Sequence, residues 1–537
     1  MHPRRPRGTG LTMPRHPSTQ WAAELAEIDA RRARAAQMGG ADSLARARAR
    51  GLLDARQRIE ALVDAGSFRE FGMLAGKGRY GPDGTLESFT PSAHVLGLGS
   101  IDGRRAVLVS DDFTLRGGSS EAAVAEKWMY SDRYAYEYRL PTVRIVHSAG
   151  GSVNLPLQMG YTKIPGYALQ PSVPLLGLVP VVGVVMGPAA GLGAIRACSS
   201  HFSVMVRGQG QVFAGGPPVV RQALGIEVDK ETLGGWQVHK SSGVVHNGAD
   251  SEQDALAQAR RFLSYLPAHV HEAPPRRPGS DPRTRSEPWL NDAIPRDRRQ
   301  VFDARRILAG IFDLGSLFEL APQFGGSLVT CLARLDGHAV GAMINNPRVA
   351  GGALTRAAAQ KLERFVDLCD TFHLPIVNLV DQPGSMTGPQ AEKEGTLAAV
   401  LRASAAIEQS SVPWLAVVIR RCFGLAGGML SPWNGASDTA LPHRFAWPSA
   451  RWGSIPIEGG VDAAYAREIE AAPDPAARRA ELEQLLHAIG SPLRSAERFG
   501  VVDVIEPAAT RELLCDWVAD AYAVCATRLG PRRRTMR

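Results

Sequence analysis

The stretch LVPVVGVVMGPAAGLG (178–193) lies over SVPWLAVVIRRCFGLA (411–426) at a constant offset of 233, with Pro180/Pro413, Val184/Val417, Val185/Val418, Gly191/Gly424 and Leu192/Leu425 in common. Each copy is a run of apolar, largely β-branched residues followed by a glycine-bearing turn. That is the pattern of a strand buried on both faces and leading into a helix, as in a parallel sheet covered on both sides. Upstream, residues 102–150 match 336–384 at offset 234 without a gap, and 12 of the 49 positions are identical. Ordinary residue usage gives about half that by chance or less. The match includes Asp102/Asp336, Gly103/Gly337, Gly117/Gly351, Gly118/Gly352, Lys127/Lys361 and Gly150/Gly384, and VDAGSFRE from Val63 echoes FDLGSLFE from Phe312. Two halves share one plan.

Each half reads as strand, Gly-Gly loop, helix, strand, Gly turn, then a second strand and a Gly-rich turn into a helix. Strands alternating with helices predict an α/β fold with parallel sheets and crossover helices. In the first half VRIVHSAGG (143–151) is a strand entering a turn, and VNLVDQPGS (377–385) repeats it. The segment 267–299 is rich in Pro and charge and reads as the linker, which sets an N-terminal domain over 26–266 and a C-terminal domain over 300–537, after an unstructured extension over 1–25. DARQRIEALVDAGSF (54–68) is a helix with Gly66 at its C-cap; AARRAELEQLLHAI (476–489) and TRELLCDWVADAY (510–522) are helical too.

A length of 537 residues suggests two to four domains at roughly 150 residues each, or two large ones. The apolar share of 45% and the charged share of 21% exclude a mainly disordered, collagenous or coiled-coil chain. The net charge is +8, but only seven of the 61 basic residues are Lys and Arg is spread along the whole chain, so no nucleic-acid footprint is indicated. The clusters RRPR near Arg4 and RRR from Arg532 read as solvated tails, with an anionic partner as the alternative. Residues 1–23 lack an acid, as a transit peptide would, yet have no apolar core for a secretory signal; an extension with Met13 as an alternative start is expected. The six cysteines have no CxxC spacing, which argues against a zinc ribbon or a disulfide framework and fits a reducing cytoplasm. The uncharged stretch from Ile164 to Ile195 is long enough for a membrane span, but Pro165, Pro171, Pro174, Pro180 and Pro188 would each interrupt a helix, so no membrane span and no metal site are expected.

The turns GPAAGLGA (187–194) and RRCFGLAGG (420–428) would leave consecutive N–H groups free at the positive end of a helix. Such a turn holds an anion, either a phosphate or a developing oxyanion. Neither GxxxxGK[ST] nor GxGxxG is present, and an apolar turn without Lys suits an enolate better. A purely structural tight turn is the alternative for either copy alone, and its repetition weakens that alternative.

The sequence resembles the carboxyltransferase subunits of biotin-dependent acyl-CoA carboxylases from about Arg48 to Tyr522. The resemblance is carried by DDFTLRGGSS (111–120), HSAGGSVNLP (147–156), MGPAAGLGA (186–194), FAGGPPVVRQALGIEVDKETLGG (213–235) and HKSSGVVH (239–246) in the first half. The second half adds RFVDLCDTFHLPIVNLVDQPGS (364–385), FAWPSARWGSIPIEGGV (445–461) and AERFGVVDVIEP (496–507). The resemblance implies two tandem crotonase-like (ClpP/crotonase) domains of β-β-α superhelix type. It also implies transfer of CO₂ from carboxybiotin to an acyl-CoA through a thioester enolate. By motif position, the amides of Gly191 and Leu192 hold the enolate oxygen and those of Leu425 and Ala426 the biotin ureido oxygen. Phe113, Gly117, Gly118 and Ser119, with Ser148, Ala149, Gly150 and Gly151, line the acyl-CoA, and Gly193 and Gly424 complete the two turns. His147, His239 and His246 are structural or substrate-lining, and Asp381 and Glu392 are solvated or hydrogen-bonded acids.

The implied cofactor is biotin carried by another protein, since the chain has no MKM attachment tripeptide; the implied substrate is a coenzyme A thioester. The implied partners are a biotin carboxylase, a biotin carboxyl carrier and further copies of the chain, with a hexamer as the family expectation. Leu192 and Leu425 stand where the family commonly has Gly, His147 replaces an Asp, and the family segment GIIRHGAK becomes GTLAAVLR (395–402). These departures keep two other readings open: a malonyl-type acyl-CoA decarboxylase, and a catalytically impaired scaffold subunit of a carboxylase complex.

Overall fold

The buried run predicted from the sequence forms the strand Val181–Ala190 in the computed structural model, which describes residues 19–152, 154–162, 172–297, 299–432 and 443–534. Alternate side chains enter different cores: Val182, Val184 and Met186 pack into the largest apolar cluster, while Val185 and Ala189 pack on the opposite face with Ala194, Ala197 and Trp236. Burial on both faces explains the unbroken apolar sequence.

The strand is central to an eight-stranded sheet. Across it run Arg69–Phe71, His94–Ile101, Arg104–Asp111, Thr142–Ser148, Val181–Ala190, Phe202–Val206 and Asn247–Ala249, with Gln211–Phe213 on the far end of Val181–Ala190. The first two pairings are antiparallel and the rest parallel. The second sheet repeats this order through Phe318–Glu319, Leu328–Leu335, His338–Asn345, Ile376–Gln382, Trp414–Phe423, His443–Ala446 and Asp503–Val504, with Arg451–Gly453 beside the end of Trp414–Phe423.

The duplication extends to the backbone. The Asp-Gly hairpins have positive φ at Asp102 and Gly103 (50° and 76°) and at Asp336 and Gly337 (48° and 77°). Their amides are received by Asp64 in one half and Asp313 in the other. The crossover helices Ala125–Tyr138 and Arg356–Thr371 each carry a buried lysine, and Lys361 Nζ caps the carbonyls of Ala321 and Leu328 at 2.9 and 2.8 Å. The sheets meet edge to edge through Asn247, whose amide donates to Glu319 O and whose carbonyl receives Ala321 N–H.

Some expectations change in detail. The first predicted helix spans Ala55–Leu62 with Val63 at its C-cap; Gly66, at φ 73°, serves the turn beyond, because Asp64 has already left the helix to hold the Asp102–Gly103 hairpin. Of the extension 1–25, residues 1–18, including Met13 and the RRPR cluster, lie outside the described residues, while residues 22–25 begin the helix Ala22–Ala36. Pro165 and Pro171 also lie outside them. The C-terminal RRR cluster is no solvated tail: Arg532 donates to Asp370 O and Arg534 pairs with Asp367, because acids of the crossover helix face it. Within 267–299 the chain is pinned to the second half: Arg277 N–H bonds Gly337 O, and Arg285 caps the carbonyls of Gly310 and Phe312. All six cysteines are free thiols. No described helix is long and apolar enough to cross a membrane, and no metal-binding cluster of acids, His and Cys occurs among the described residues.

Candidate active site

At the C-terminal ends of the parallel strands the two halves build the same frame. Asp111 ends one strand and its carboxylate receives the N–H of His147; Asn345 occupies the corresponding place and its side-chain carbonyl receives the N–H of Asp381. The Gly-Gly loops follow, with positive φ at Arg116 and Gly117 (52° and 65°) and at Ala350 and Gly351 (47° and 61°). Gly117 O receives Ala149 N–H at 2.9 Å, Ser148 Oγ donates to Gly118 O at 2.8 Å, and Ser120 N–H reaches Gly150 O at 3.0 Å. These bonds join the Gly-Gly loop to the turn 148–151. In the second half Leu354 N–H reaches Gly384 O at 3.0 Å, and Gln382 Oε1 receives Gly384 N–H as Ser148 Oγ receives Gly150 N–H. Thus Phe113, Gly117, Gly118, Ser119, Ser148, Ala149, Gly150 and Gly151 form one continuous wall.

The helix Leu192–Cys198 begins beside this wall. Gly191 makes the turn at φ 55°, and Gly193 lets the helix close on the strand end, since a Cβ there would stand 3.2 Å from Ser148 Cβ. One expected donor changes. Gly191 N–H is spent on Phe213 O at 3.1 Å, because Gln211–Phe213 pairs in parallel with the end of Val181–Ala190 and the ladder extends one residue into the turn. The donors left by the helix start are Leu192 and Gly193, whose amides have no carbonyl one turn back. Gly151 N–H also makes no bond to a described residue. The Leu192 side chain points outward, 38% exposed, so it adds bulk at the rim without blocking its own amide.

The helix Gly424–Leu430 gives the second turn, with Gly424 at φ 62° and first-turn amides at Leu425 and Ala426. Leu425 is 61% exposed. A Cβ built on Gly351, Gly384 or Gly428 would meet nothing within 4 Å, so the second site is open where the first is tight. The altered segment GTLAAVLR opens the helix Thr396–Gln409; Arg402 pairs with Glu363 at 2.9 Å, and Leu397 and Leu401 are exposed.

The largest electrostatic difference lies at the homologous positions 147 and 381. Asp381 is fully buried and binds two guanidinium groups, Arg420 at 2.7 Å and Arg421 at 2.7 Å; Arg421 also donates to Gly351 O, tying the ion cluster to the second Gly-Gly loop. A solvated acid at this position is therefore excluded. Glu392 is exposed on the short helix Pro389–Glu394. His147 is buried and stacks on Phe113 with ring centroids 3.9 Å apart, and Arg58 approaches its Nδ1 at 3.4 Å. Burial, followed by the charge of Arg58, holds His147 well below the usual imidazole range, so it stays neutral. Arg58 is compensated by Glu252 at 2.6 Å. His239 Nε2 donates to Val212 O, and His246 Nδ1 receives Ser203 N–H; both are structural. Sequence reasoning passed over Arg58, Glu252, Arg420 and Arg421, and only the Arg-Arg pair stood within a motif already singled out.

Replacing Asp381 with Asn is expected to cost about 3 kcal/mol, because it strands two buried or half-buried cations. Urea denaturation measures this; a loss below about 1 kcal/mol would show that Arg420 and Arg421 find other partners.

The carboxyl transferase domain model matches residues 46–528. The chain is 35% identical over 494 residues to the carboxyltransferase subunit of propionyl-CoA carboxylase from Haloferax mediterranei, covering 91% of this chain and 94% of the relative. It is 32% identical to the alpha subunit of methylmalonyl-CoA decarboxylase from Veillonella parvula, over 90% and 92% of the two chains. Among solved structures, the transcarboxylase 12S hexamer with methylmalonyl-coenzyme A and methylmalonic acid bound superposes with a TM-score of 0.83 at 30% identity, covering 97% of each chain. The two sheets are accordingly tandem crotonase-like domains. With a matching domain model across most of its length and a shared two-sheet architecture, this chain belongs to the carboxyl transferase family.

Proposed function

We propose that the chain is the carboxyltransferase component of an acyl-CoA carboxylase, working with a biotin carboxylase and a biotin carboxyl carrier as a homo-oligomer, a hexamer, in the cytoplasm. The observation that carries this reading is the duplicated turn: two helix starts, each at the C-terminal end of a parallel sheet, present unspent amides to the same kind of loop. A carboxyl transfer between two carriers needs two anion sites of this kind.

In the first site the thioester carbonyl of the acyl-CoA would lie against the amides of Leu192, Gly193 and Gly151. Negative charge grows on that oxygen as the carbon beside it loses a proton, and each well-placed donor lowers the barrier by about 3 kcal/mol. Biotin, when bound, supplies the carboxyl group and its ureido nitrogen takes the proton. Leu425 and Ala426 would hold its ureido oxygen, and the open surface at Gly351, Gly384 and Gly428 fits that group. No side-chain base is required, which agrees with the structural bonding of His239 and His246 and with the neutral, buried His147.

The reverse half-reaction tests the reading. Purified chain is given a panel of carboxylated acyl-CoAs with and without free biotin, and decarboxylated CoA product is quantified. Product dependent on biotin is expected. Equal product without biotin would replace this reading by a decarboxylase, the activity named for the Veillonella relative.

A further inference from the structure

A cavity of about 280 Å³ lies beside the first Gly-Gly loop, between its Phe113 and the helices Ala41–Ala49 and Ala55–Leu62. Its wall is the Phe113–His147 stack together with Leu52 and Leu53, and its cations are Arg46, Arg50 and Arg58. The carboxylates that border it are occupied. Asp54 caps the helix Ala55–Leu62 through Arg56 N–H and Gln57 N–H, Asp111 pairs with Arg196 at 3.3 Å, and Asp112 is buried and receives Thr114 N–H at 2.9 Å.

Arg58 is neutralised by Glu252, but Arg46 donates only to Ser43 Oγ, and no carboxylate lies within ion-pair distance of Arg46 or Arg50 among the described residues. The charges that act on His147 are all cationic: Arg58, Arg50 and Lys230. The cavity is therefore apolar and aromatic within and positively charged at its mouth. Uncompensated guanidinium groups beside a flat aromatic wall suit phosphate oxygens joined to a heterocyclic base.

Resting on the carboxyltransferase reading, we propose that this cavity receives the phosphorylated adenosine end of the acyl-CoA, with Arg46 and Arg50 on its phosphates and the base against Phe113. The volume is near the lower end for a ligand pocket and suits a nucleoside end better than a whole thioester. Phe113 connects it to the reacting end: its ring stands 3.8 Å from the position of a Cβ on Gly117, which in turn would stand 3.6 Å from Ala149 Cβ on the donor wall. The coenzyme thus spans from the cavity across the Gly-Gly loop to Gly151 and Leu192. A free adenine nucleotide offers the same chemistry, and the test separates the two.

The test uses the full chain carrying Arg46→Gln and Arg50→Gln together, both exposed positions whose exchange leaves the core untouched. Binding of adenosine 3′,5′-bisphosphate is measured by calorimetry, and KM is measured for an acyl-CoA and for the matching acyl-pantetheine, which lacks the nucleotide. The expected result is bisphosphate binding weakened at least tenfold and KM for acyl-CoA raised at least tenfold, with a much smaller change for acyl-pantetheine. The exposed Arg498→Gln, far from the cavity in sequence, serves as the charge control. Equal losses with both substrates would reduce the arginines to a structural role and overturn the proposal. Weakened binding of ADP with no change in KM for acyl-CoA would overturn it in favour of a separate nucleotide site. If the native chain turns over no acyl-CoA, the carboxyltransferase reading fails, whereas bisphosphate binding unchanged by the double substitution fails this assignment alone.

Discussion

Replacing Gly150 with Val is expected to lower kcat/KM at least a hundredfold while leaving the chain folded. Gly150 has φ 83°, a conformation a β-branched residue adopts only at a cost of about 1–3 kcal/mol. An added Cβ would stand 2.9 Å from Ala190 O and 3.2 Å from Ala190 Cβ, and these atoms belong to a central strand that cannot move aside. The turn must therefore shift. It carries Gly151 N–H, and it is held by Ser120 N–H on Gly150 O and by Gly150 N–H on Ser148 Oγ, so the displacement spreads through the wall that meets the thioester. A shift of about 1 Å in an oxyanion donor is enough for a hundredfold loss. The largest apolar clusters do not include this turn, which is why stability should survive. Gly384→Val in the second half is the comparison: its φ is 132°, but a Cβ there meets nothing within 4 Å, so a smaller loss is expected. Steady-state kinetics with a melting curve for each variant decide the matter. A Gly150→Val enzyme within threefold of the native rate would remove the 148–151 turn from the active site.

The repeat made the architecture legible because a duplicated strand and turn leave the same periodicity and the same glycines twice. Lys127 and Lys361, and Gly117 and Gly351, took corresponding places in the two halves as the alignment predicted. What escaped the sequence depends on neighbours distant along the chain. The loss of Gly191 N–H as a donor comes from Phe213, in a short strand 22 residues on, whose pairing no local pattern announces. The buried Arg58–Glu252 pair behind His147 joins residues 194 apart, and nothing in either segment alone marks a salt bridge. Asp381 read as one acid beside a turn, yet Arg420 and Arg421 come from the adjacent parallel strand. Once the homologous positions are superposed, the contrast becomes physical: one half places a carboxylate between two cations, and the other places a neutral ring between cations and an aromatic wall.

The chain is expected to lose stability steeply as the pH falls from 6.5 toward 4.5. Four histidines use Nδ1 as a hydrogen-bond acceptor and therefore require the neutral ring. Val181 N–H donates to His201 Nδ1, Ser203 N–H to His246 Nδ1, and the guanidinium groups of Arg532 and Arg58 approach His373 Nδ1 and His147 Nδ1. A backbone N–H or an arginine cannot reverse its role, so protonation of Nδ1 breaks each contact. Burial is the leading cause that pushes His201 and His373 down to about 4 and His246 to about 3, and it holds His147 well below 6.5. In the unfolded chain these rings take up protons below about pH 6.5, whereas in the folded chain they do not until the lower values are reached. The unfolded state then binds more protons, and stability falls with pH through that window. One group contributes about 1.4 kcal/mol per pH unit at the limit. Four such groups together reach about 5 kcal/mol per unit, comparable with the whole stability of about 5–15 kcal/mol usual for a folded domain. Thermal melts in buffers from pH 7.5 to 4.5 should show a midpoint nearly constant above pH 7 and falling sharply below 6. His373→Gln should lose some stability at neutral pH yet show a shallower fall, since one coupled proton is gone. A midpoint flat down to pH 5 would mean that the four rings are accommodated as cations, and the neutral assignment of His147 against Phe113 would fall with it.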